Sequence, residues 1–134
     1  LGAQIRFAAP EGYQPSATEL ARLDALGPGT ASAVESPAVG VKDADAVHTD
    51  TWTSMGQESE KADRLSVFRD YTVTEELMGL AAPGAGFYHC APVYRGFEVA
   101  AEVVDGPASL VVRQGHNRLH TARALLAFVM GVAK

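Results

Sequence analysis

Three short stretches of this 134-residue chain hold side chains that could do chemistry. HTDTWTSMGQE runs from His48 to Glu58, FYHCAPVYRG runs from Phe87 to Gly96, and GHNRLH contains Arg118. Together they offer a carboxylate, a hydroxyl, a thiol and a guanidinium, which are groups that bind amines, carboxylates and phosphates. The elements that carry the three stretches must therefore bring them together.

Asp50 follows an apolar stretch and precedes the small polar loop Ser54-Met55-Gly56. In one interpretation Asp50 or Ser54 caps the next helix by accepting hydrogen bonds from its free backbone amides. In the other, the carboxylate and the hydroxyl hold the ammonium and carboxylate groups of an amino acid. The spacing alone leaves both interpretations open.

Cys90 is the only cysteine of the chain, and free cysteines are most often buried packing residues. Its neighbours favour a different role. Pro92 cannot donate to a sheet ladder, so the strand is expected to end near Ala91 and to leave the thiol at the ligand edge. A cation such as Arg95 would lower the pKa of that thiol.

Two other chemistries are disfavoured. His89 is badly placed to act as a base for Cys90, because adjacent residues of a strand point to opposite faces, so a cysteine hydrolase is not expected. No metal site is predicted, since the donor residues show no spacing typical of zinc sites. Those donors are His48, Asp50, His89, Cys90, His116 and His120.

Arg118 is predicted to lie in the first turn of a last helix, Asn117 to Val132. A helix N-terminus favours an anion, and a guanidinium there would grip a phosphate or a carboxylate with two hydrogen bonds. The alternative is a solvated surface arginine.

The elements around these stretches alternate between strand and helix. Apolar runs predict strands, and capping boxes or three-and-four apolar spacing predict helices. The pattern predicts an α/β fold, a three-layer, mostly parallel Rossmann-like sheet with helices on both faces, whose ligands bind beyond the carboxyl ends of the strands. The predicted strands are 3–9, 30–35, 45–50 and 86–90. Two helices are predicted directly after the capping boxes 16–19 and 72–75, and three more helices are predicted over 38–43, 57–71 and 117–132.

Composition narrows the class of protein. Hydrophobic residues make up 47% of the chain and charged residues 20%, which is typical of one soluble globular domain. The net charge of −5 offers no basic stripe for nucleic acid, and no apolar run reaches the roughly 18 residues that cross a bilayer. A single cysteine and the absence of a signal-like start predict a cytoplasmic setting.

Taken together, the three stretches resemble the second, amino-acid-binding domain of the ornithine carbamoyltransferases. HTDTWTSMGQE resembles the Asp-x-x-x-Ser-Met-Gly loop of that family, FYHCAPVYRG its His-Cys-Leu-Pro segment with a following Arg-Gly, and GHNRLH its Glu-Asn-Arg region. The stretches FAAPEGYQP and YTVTEELM are also similar to the family, so the resemblance covers nearly the whole chain.

The resemblance implies a role for each matching residue. Asp50, Ser54 and Met55 match the positions that hold the α-amino and carboxylate end of ornithine. Cys90 matches the cysteine that contacts the reacting δ-amino group and carbamoyl phosphate as proton acceptor, and Arg118 matches the arginine that helps to hold carbamoyl phosphate. The implied reaction is attack of the neutral δ-amine on the carbamoyl carbon, giving citrulline and phosphate without a metal or an organic cofactor.

The sequence departs from the family at three of the matching positions. Ala91 takes a carbamoyl phosphate-binding position where leucine is usual; its carbonyl can still accept from the amine, but its side chain leaves more room beside the substrate. His116 replaces a usual glutamate beside Arg118, and Tyr94 takes a position that is often histidine or phenylalanine.

Family members are at least about twice as long as this chain. The Ser-Thr-Arg-Thr loop and the His-x-x-Gln pair of their first, carbamoyl phosphate domain are not found in the sequence, and the first strand and helix of the second domain are also expected to be missing. We therefore expect residues 1–134 to be the ornithine-binding part of a homotrimeric enzyme and to be inactive alone. The alternatives are a carbamoyltransferase for another amine and a non-catalytic amino-acid-binding or regulatory module.

Overall fold

The fold is taken from a computed structural model, which describes residues 2–53 and 58–132. Strands and helices alternate along most of the chain, and two 3₁₀ turns flank the third helix. The strands are β1 (Gln4–Ala8), β2 (Thr30–Val34), β3 (Ala46–Thr49) and β4 (Gly86–His89). The helices are α1 (Ala17–Asp24), α2 (Pro37–Val41), α3 (Lys61–Phe68), α4 (Glu75–Met78), α5 (Ala101–Val104) and α6 (Val111–Val129), with 3₁₀ turns at Glu58–Glu60 and Arg69–Tyr71.

Local hydrogen bonds explain where the first helices begin. Ser16 caps α1 in a capping box with Glu19, as the sequence predicts: the Glu19 amide donates to Ser16 Oγ at 3.3 Å, and the Ser16 amide donates to Glu19 Oε2 at 2.8 Å. These bonds lower the pKa of Glu19. The capping box predicted at 72–75 is wrong by two residues, because Thr74 caps α4 by accepting from the Leu77 amide at 3.2 Å.

The parallel strand pairing of an α/β fold is confirmed. Within the described residues the four strands form two parallel ladders, β1 with β2 and β3 with β4, rather than one continuous ladder. Helices α1 and α2 pack against the first ladder, and α6 packs against β4. The strands therefore point their carboxyl ends in one direction within each ladder.

The buried core surrounds β4. Phe87 and Val99 are fully buried, and valines from β3 and α5 pack with them. The first ladder is more open, since Ile5 in β1 is 46% exposed. Burial is therefore deepest in and around β4, the strand that precedes Cys90. The core residues are Val41, Val47, Val73, Phe87, Val99, Val103 and Val104.

The last helix is longer at its start than the sequence predicts. α6 spans Val111–Val129 rather than 117–132, so the predicted start at Asn117 is wrong. The Leu110 amide, just before α6, donates to the Phe87 carbonyl at 2.8 Å, and Val111 packs on the core, which fixes the start earlier. Leu119 and Leu126 of α6 are 60% and 61% exposed. None of the helices in the described ranges is long and apolar enough to cross a membrane.

Candidate active site

The register of the second ladder brings two distant residues together. Ala46 pairs with Gly86 and Thr49 pairs with His89, so Asp50 and Cys90 are the first residues beyond the paired ends. Both strands are parallel, and their carboxyl ends therefore meet at one edge. The two stretches that the sequence singles out thus share a site.

Asp50 and Cys90 are directly hydrogen-bonded. The Cys90 thiol donates to Asp50 Oδ1 at 3.0 Å, and the Thr51 amide donates to the same oxygen at 2.7 Å. The hydrogen bond to Asp50, followed by burial and by the charge of Asp50, raises the pKa of the Cys90 thiol above its ordinary value. At neutral pH the Cys90 thiol is therefore protonated, and the Asp50 carboxylate accepts its hydrogen bond.

The expectation that Arg95 lowers the pKa of Cys90 is wrong. Arg95 is engaged elsewhere, since its Nε donates to Asp105 Oδ2 at 2.8 Å and its Nη2 donates to Asp105 Oδ1 at 2.6 Å. This bidentate pair raises the pKa of Arg95 and lowers the pKa of Asp105. Arg95 therefore connects the loop after β4 to the end of α5 and does not lower the pKa of the Cys90 thiol.

Arg118 reaches the same edge, although not from a helix N-terminus. It is the eighth residue of α6, and its Nη1 donates to the Cys90 carbonyl at 3.2 Å. One turn earlier on the same helix face, the Gln114 side-chain carbonyl accepts from the His89 amide at 3.0 Å. Helix α6 thus holds the end of β4 through two side chains, of which the sequence pointed only to Arg118.

The His89 side chain is buried and makes no hydrogen bond to the Cys90 thiol, whose acceptor is Asp50. The Nδ1 atom of His89 accepts from the Ala91 amide at 2.9 Å, which places the proton of the neutral ring on Nε2. That Nε2 lies 3.3 Å from Glu98 Oε1, an ion-pair distance whose geometry falls short of a hydrogen bond. Glu98 Oε1 also accepts from the Tyr94 amide at 2.6 Å. Sequence analysis missed Glu98, because no motif or spacing distinguishes it from a surface acid.

Ala91 follows Cys90 and lies two residues beyond the end of β4 at His89. Its φ of 60° lies in the left-handed region, and the Ala91–Pro92 peptide bond is cis. β4 ends at His89, in agreement with the strand end expected near Ala91.

Three potential metal ligands meet at this edge, which their spacing in the sequence did not indicate. The ligand atoms of Asp50, His89 and Cys90 all lie within 4.8 Å of one another. Two of these side chains already form hydrogen bonds within the protein, since the Cys90 thiol donates to Asp50 and His89 Nδ1 accepts from the Ala91 amide. We propose no metal here.

A cavity of about 320 Å³ opens beside Asp50, between β3 and the strand β1. Its walls include His48, Trp52 and Arg64. Burial lowers the pKa of His48, against the opposing charge of Asp50, so the His48 ring is neutral at pH 7. Ser54 and Met55, the other predicted ornithine contacts, lie outside the described residues.

Comparison with known proteins shows which family and which relatives this chain is similar to. Residues 1–129 match the aspartate/ornithine carbamoyltransferase family in its Asp/Orn-binding domain. An ornithine carbamoyltransferase of Caldicellulosiruptor saccharolyticus is 48% identical over 132 residues, which cover 96% of this chain and 43% of that protein. One of Bifidobacterium longum subsp. infantis is 48% identical over 136 residues, covering 99% of this chain and 42% of that protein.

Solved structures agree with the sequence comparison. Ornithine carbamoyltransferase from Pyrococcus furiosus superposes with a TM-score of 0.88 at 42% identity, and the match covers 100% of this chain and 44% of that chain. The anabolic ornithine carbamoyltransferase from Campylobacter jejuni also gives a TM-score of 0.88, at 35% identity, over 97% of this chain and 44% of that one. The chain thus spans less than half the length of the relatives that it matches.

Proposed function

This chain belongs to the aspartate/ornithine carbamoyltransferase family, and on that premise we propose that it is the ornithine-binding part of an ornithine carbamoyltransferase. The complete protein would transfer the carbamoyl group of carbamoyl phosphate to the δ-amino group of L-ornithine, giving L-citrulline and phosphate. Residues 1–134 would form its second domain. The observation that supports this most is the contact of the Cys90 thiol with Asp50, with Arg118 on the Cys90 carbonyl.

The proposed roles follow from charge and reach. The Asp50 carboxylate attracts an ammonium group of ornithine, while Ser54 and Met55 complete the amino-acid end of the site. Arg118 and the backbone at Cys90 and Ala91 face carbamoyl phosphate, where a guanidinium stabilises the negative charge of the phosphate.

Proton movement is the central problem of this reaction. A primary amine with a pKa near 10 is mostly protonated at neutral pH and must lose a proton before its nitrogen attacks the carbamoyl carbon. The new C–N bond then forms as the C–O bond to phosphate breaks. Bound ammonium takes the place of the thiol as the partner of Asp50, and the pKa of Cys90 then falls from its raised value. The thiol gives its proton to solvent water, and the resulting thiolate lies beside the δ-ammonium group and accepts a proton from it.

The test uses the complete protein supplied with carbamoyl phosphate and L-ornithine. We expect citrulline to form, Asp50→Asn to raise the KM for ornithine, and Arg118→Gln to raise the KM for carbamoyl phosphate. Residues 1–134 alone are expected to form no citrulline. A complete protein that binds ornithine and yields no citrulline would overturn this function in favour of an amino-acid-binding or regulatory module.

Ala91 favours a second candidate, a carbamoyltransferase for a larger or different amine. The methyl side chain of Ala91 fills less space beside the substrate than the leucine that is usual in the family. Carbamoylation of ornithine, lysine and putrescine by the same preparation separates the two candidates. The function proposed above requires ornithine to have the highest kcat/KM of the three.

The resemblance also supports a homotrimeric, cytoplasmic enzyme. A trimer would join domains that the chain described above does not include. Light scattering of the complete protein measures the assembly, and a mass of three subunits is expected.

A further inference from the structure

Arg64 on α3 connects three separate parts of the chain. Its Nη1 donates to the Trp52 carbonyl at 3.2 Å, and its Nε donates to Glu60 Oε2 at 3.0 Å. Its guanidinium carbon lies 5.4 Å from the centre of the Tyr13 ring, within the range of a cation–π contact. The loop after β1, the segment that leaves β3 and the start of α3 therefore meet at one side chain.

Phe68, one turn further along α3, reinforces the same junction. Its ring stacks on Trp52 with centroids 5.6 Å apart, and it meets Tyr13 edge-on at 4.8 Å and Tyr71 edge-on at 6.0 Å. Aromatic pairs at these distances attract each other beyond simple burial. The Trp52 segment is thus held by a hydrogen bond to its backbone and by a ring contact to its side chain.

This junction bears directly on Asp50. Thr49 is fixed by its ladder partner His89, and Trp52, three residues later, is fixed by Arg64 and Phe68. Asp50 lies between these two anchors, so its backbone has little freedom. Arg64 and Asp50 also line the same cavity of about 320 Å³.

We propose that Arg64 is a positioning residue for the amino-acid substrate, which it serves by fixing the segment that presents Asp50. This inference rests on the function proposed above. Arg64 does not need to touch the substrate, because its donors are already directed at Trp52 and Glu60, and its side chain is only 20% exposed. A loosened anchor would weaken ornithine binding and leave the carbamoyl phosphate subsite, at Cys90 and Arg118, intact.

The experiment measures steady-state kinetics of the complete protein with Arg64→Gln, Arg64→Lys and the control Arg69→Gln. Arg69 is an exposed arginine just beyond α3, so its substitution controls for lost charge. We expect R64Q to raise the KM for ornithine about tenfold, the cost of one charge-assisted hydrogen bond, with an unchanged KM for carbamoyl phosphate. R64K should recover part of the loss, because an ammonium keeps the charge but not the forked geometry.

Each outcome decides a different point. The inference is supported if R64Q selectively raises the KM for ornithine, R64K raises it less, and R69Q does not raise it. An ornithine KM within twofold of wild type in R64Q, or equal rises for both substrates, overturns it while the enzyme remains an ornithine carbamoyltransferase. A wild-type protein that forms no citrulline overturns the proposed function, and the role of Arg64 in ornithine binding falls with it.

Discussion

Asp50 and Cys90 are 40 residues apart in the chain, yet the Cys90 thiol donates a hydrogen bond to the Asp50 carboxylate at 3.0 Å. The β3–β4 register produces this contact, because Thr49 and His89 are paired and the next residue of each strand projects from the same edge. A carboxylate beside a thiol stabilises the protonated thiol, so the pKa of the Cys90 thiol is raised in the protein without bound ligand.

The pH dependence of alkylation at Cys90 should show the raised pKa of its thiol. Removing the negative acceptor with Asp50→Asn lowers the pKa of the thiol, because both the hydrogen bond and the charge of Asp50 raise it. We expect the pH midpoint of alkylation at Cys90 by iodoacetamide to move to lower pH in D50N. The rate is followed by mass spectrometry of the peptide that contains Cys90.

Asp105→Asn is the control for that experiment, since Asp105 pairs with Arg95 and not with the thiol. Its alkylation midpoint should match that of wild type. An unchanged midpoint in D50N would show that the thiol–carboxylate contact does not govern Cys90.

Glu98 should stabilise the loop after β4. Glu98→Ala removes the acceptor of the Tyr94 amide and the carboxylate that lies 3.3 Å from the buried His89 Nε2, which is expected to lower the free energy of unfolding by about 3 kcal/mol. Glu98→Gln keeps an oxygen near both groups and should cost less than half as much. Urea unfolding of the complete protein measures both values, and equal losses in the two variants would contradict the proposed acceptor role.

Phe87 should be the most costly core side chain to truncate. It is fully buried between β3, α5 and the start of α6, so Phe87→Ala is expected to lower the free energy of unfolding by about 4 kcal/mol. Leu26→Ala is the control, because Leu26 is 75% exposed and its truncation should change stability by less than about 0.5 kcal/mol. Similar losses from both variants would place the core elsewhere.

His48 should make stability fall on acidification. Burial lowers its pKa in the folded state, so between that lowered value and the ordinary value of about 6.5 the unfolded chain binds more protons than the folded one. The contribution of His48 is therefore fully present above about pH 6.5 and is lost as the pH falls. His48→Gln should flatten the decline in Tm between about pH 7 and pH 5, whereas the exposed His120→Gln should leave it unchanged. An identical decline in wild type and H48Q would exclude His48 as its source.

The sequence predicted the fold class and the two strand ends, because hydrophobic runs and breakers such as Pro92 are local signals. It did not predict the start of α6. Val111, Val112 and Gly115 have low intrinsic helix propensity, and tertiary contacts with the core decide that these residues are helical.

The supporting residues of the site were also beyond sequence analysis. Glu98, Gln114 and Arg64 act through contacts with backbone groups and rings, and such contacts follow from packing rather than from spacing. The pKa of Cys90 was predicted in the wrong direction for the same reason. Arg95 is near in the sequence but bonded to Asp105, while Asp50 is distant in the sequence and directly bonded to the thiol.

The parallel register of β3 and β4 also sets where the length of this chain can vary. A residue inserted at 46–50 or at 86–90 would rotate either Asp50 or Cys90 to the opposite face, since side chains alternate along a strand. A residue inserted in the turn before β4, where Gly84 adopts a positive φ of 84°, would leave both strand ends in place. Peptide tags and natural insertions therefore fit that turn, whereas at the strand ends the chain accepts changes of side chain more readily than changes of length.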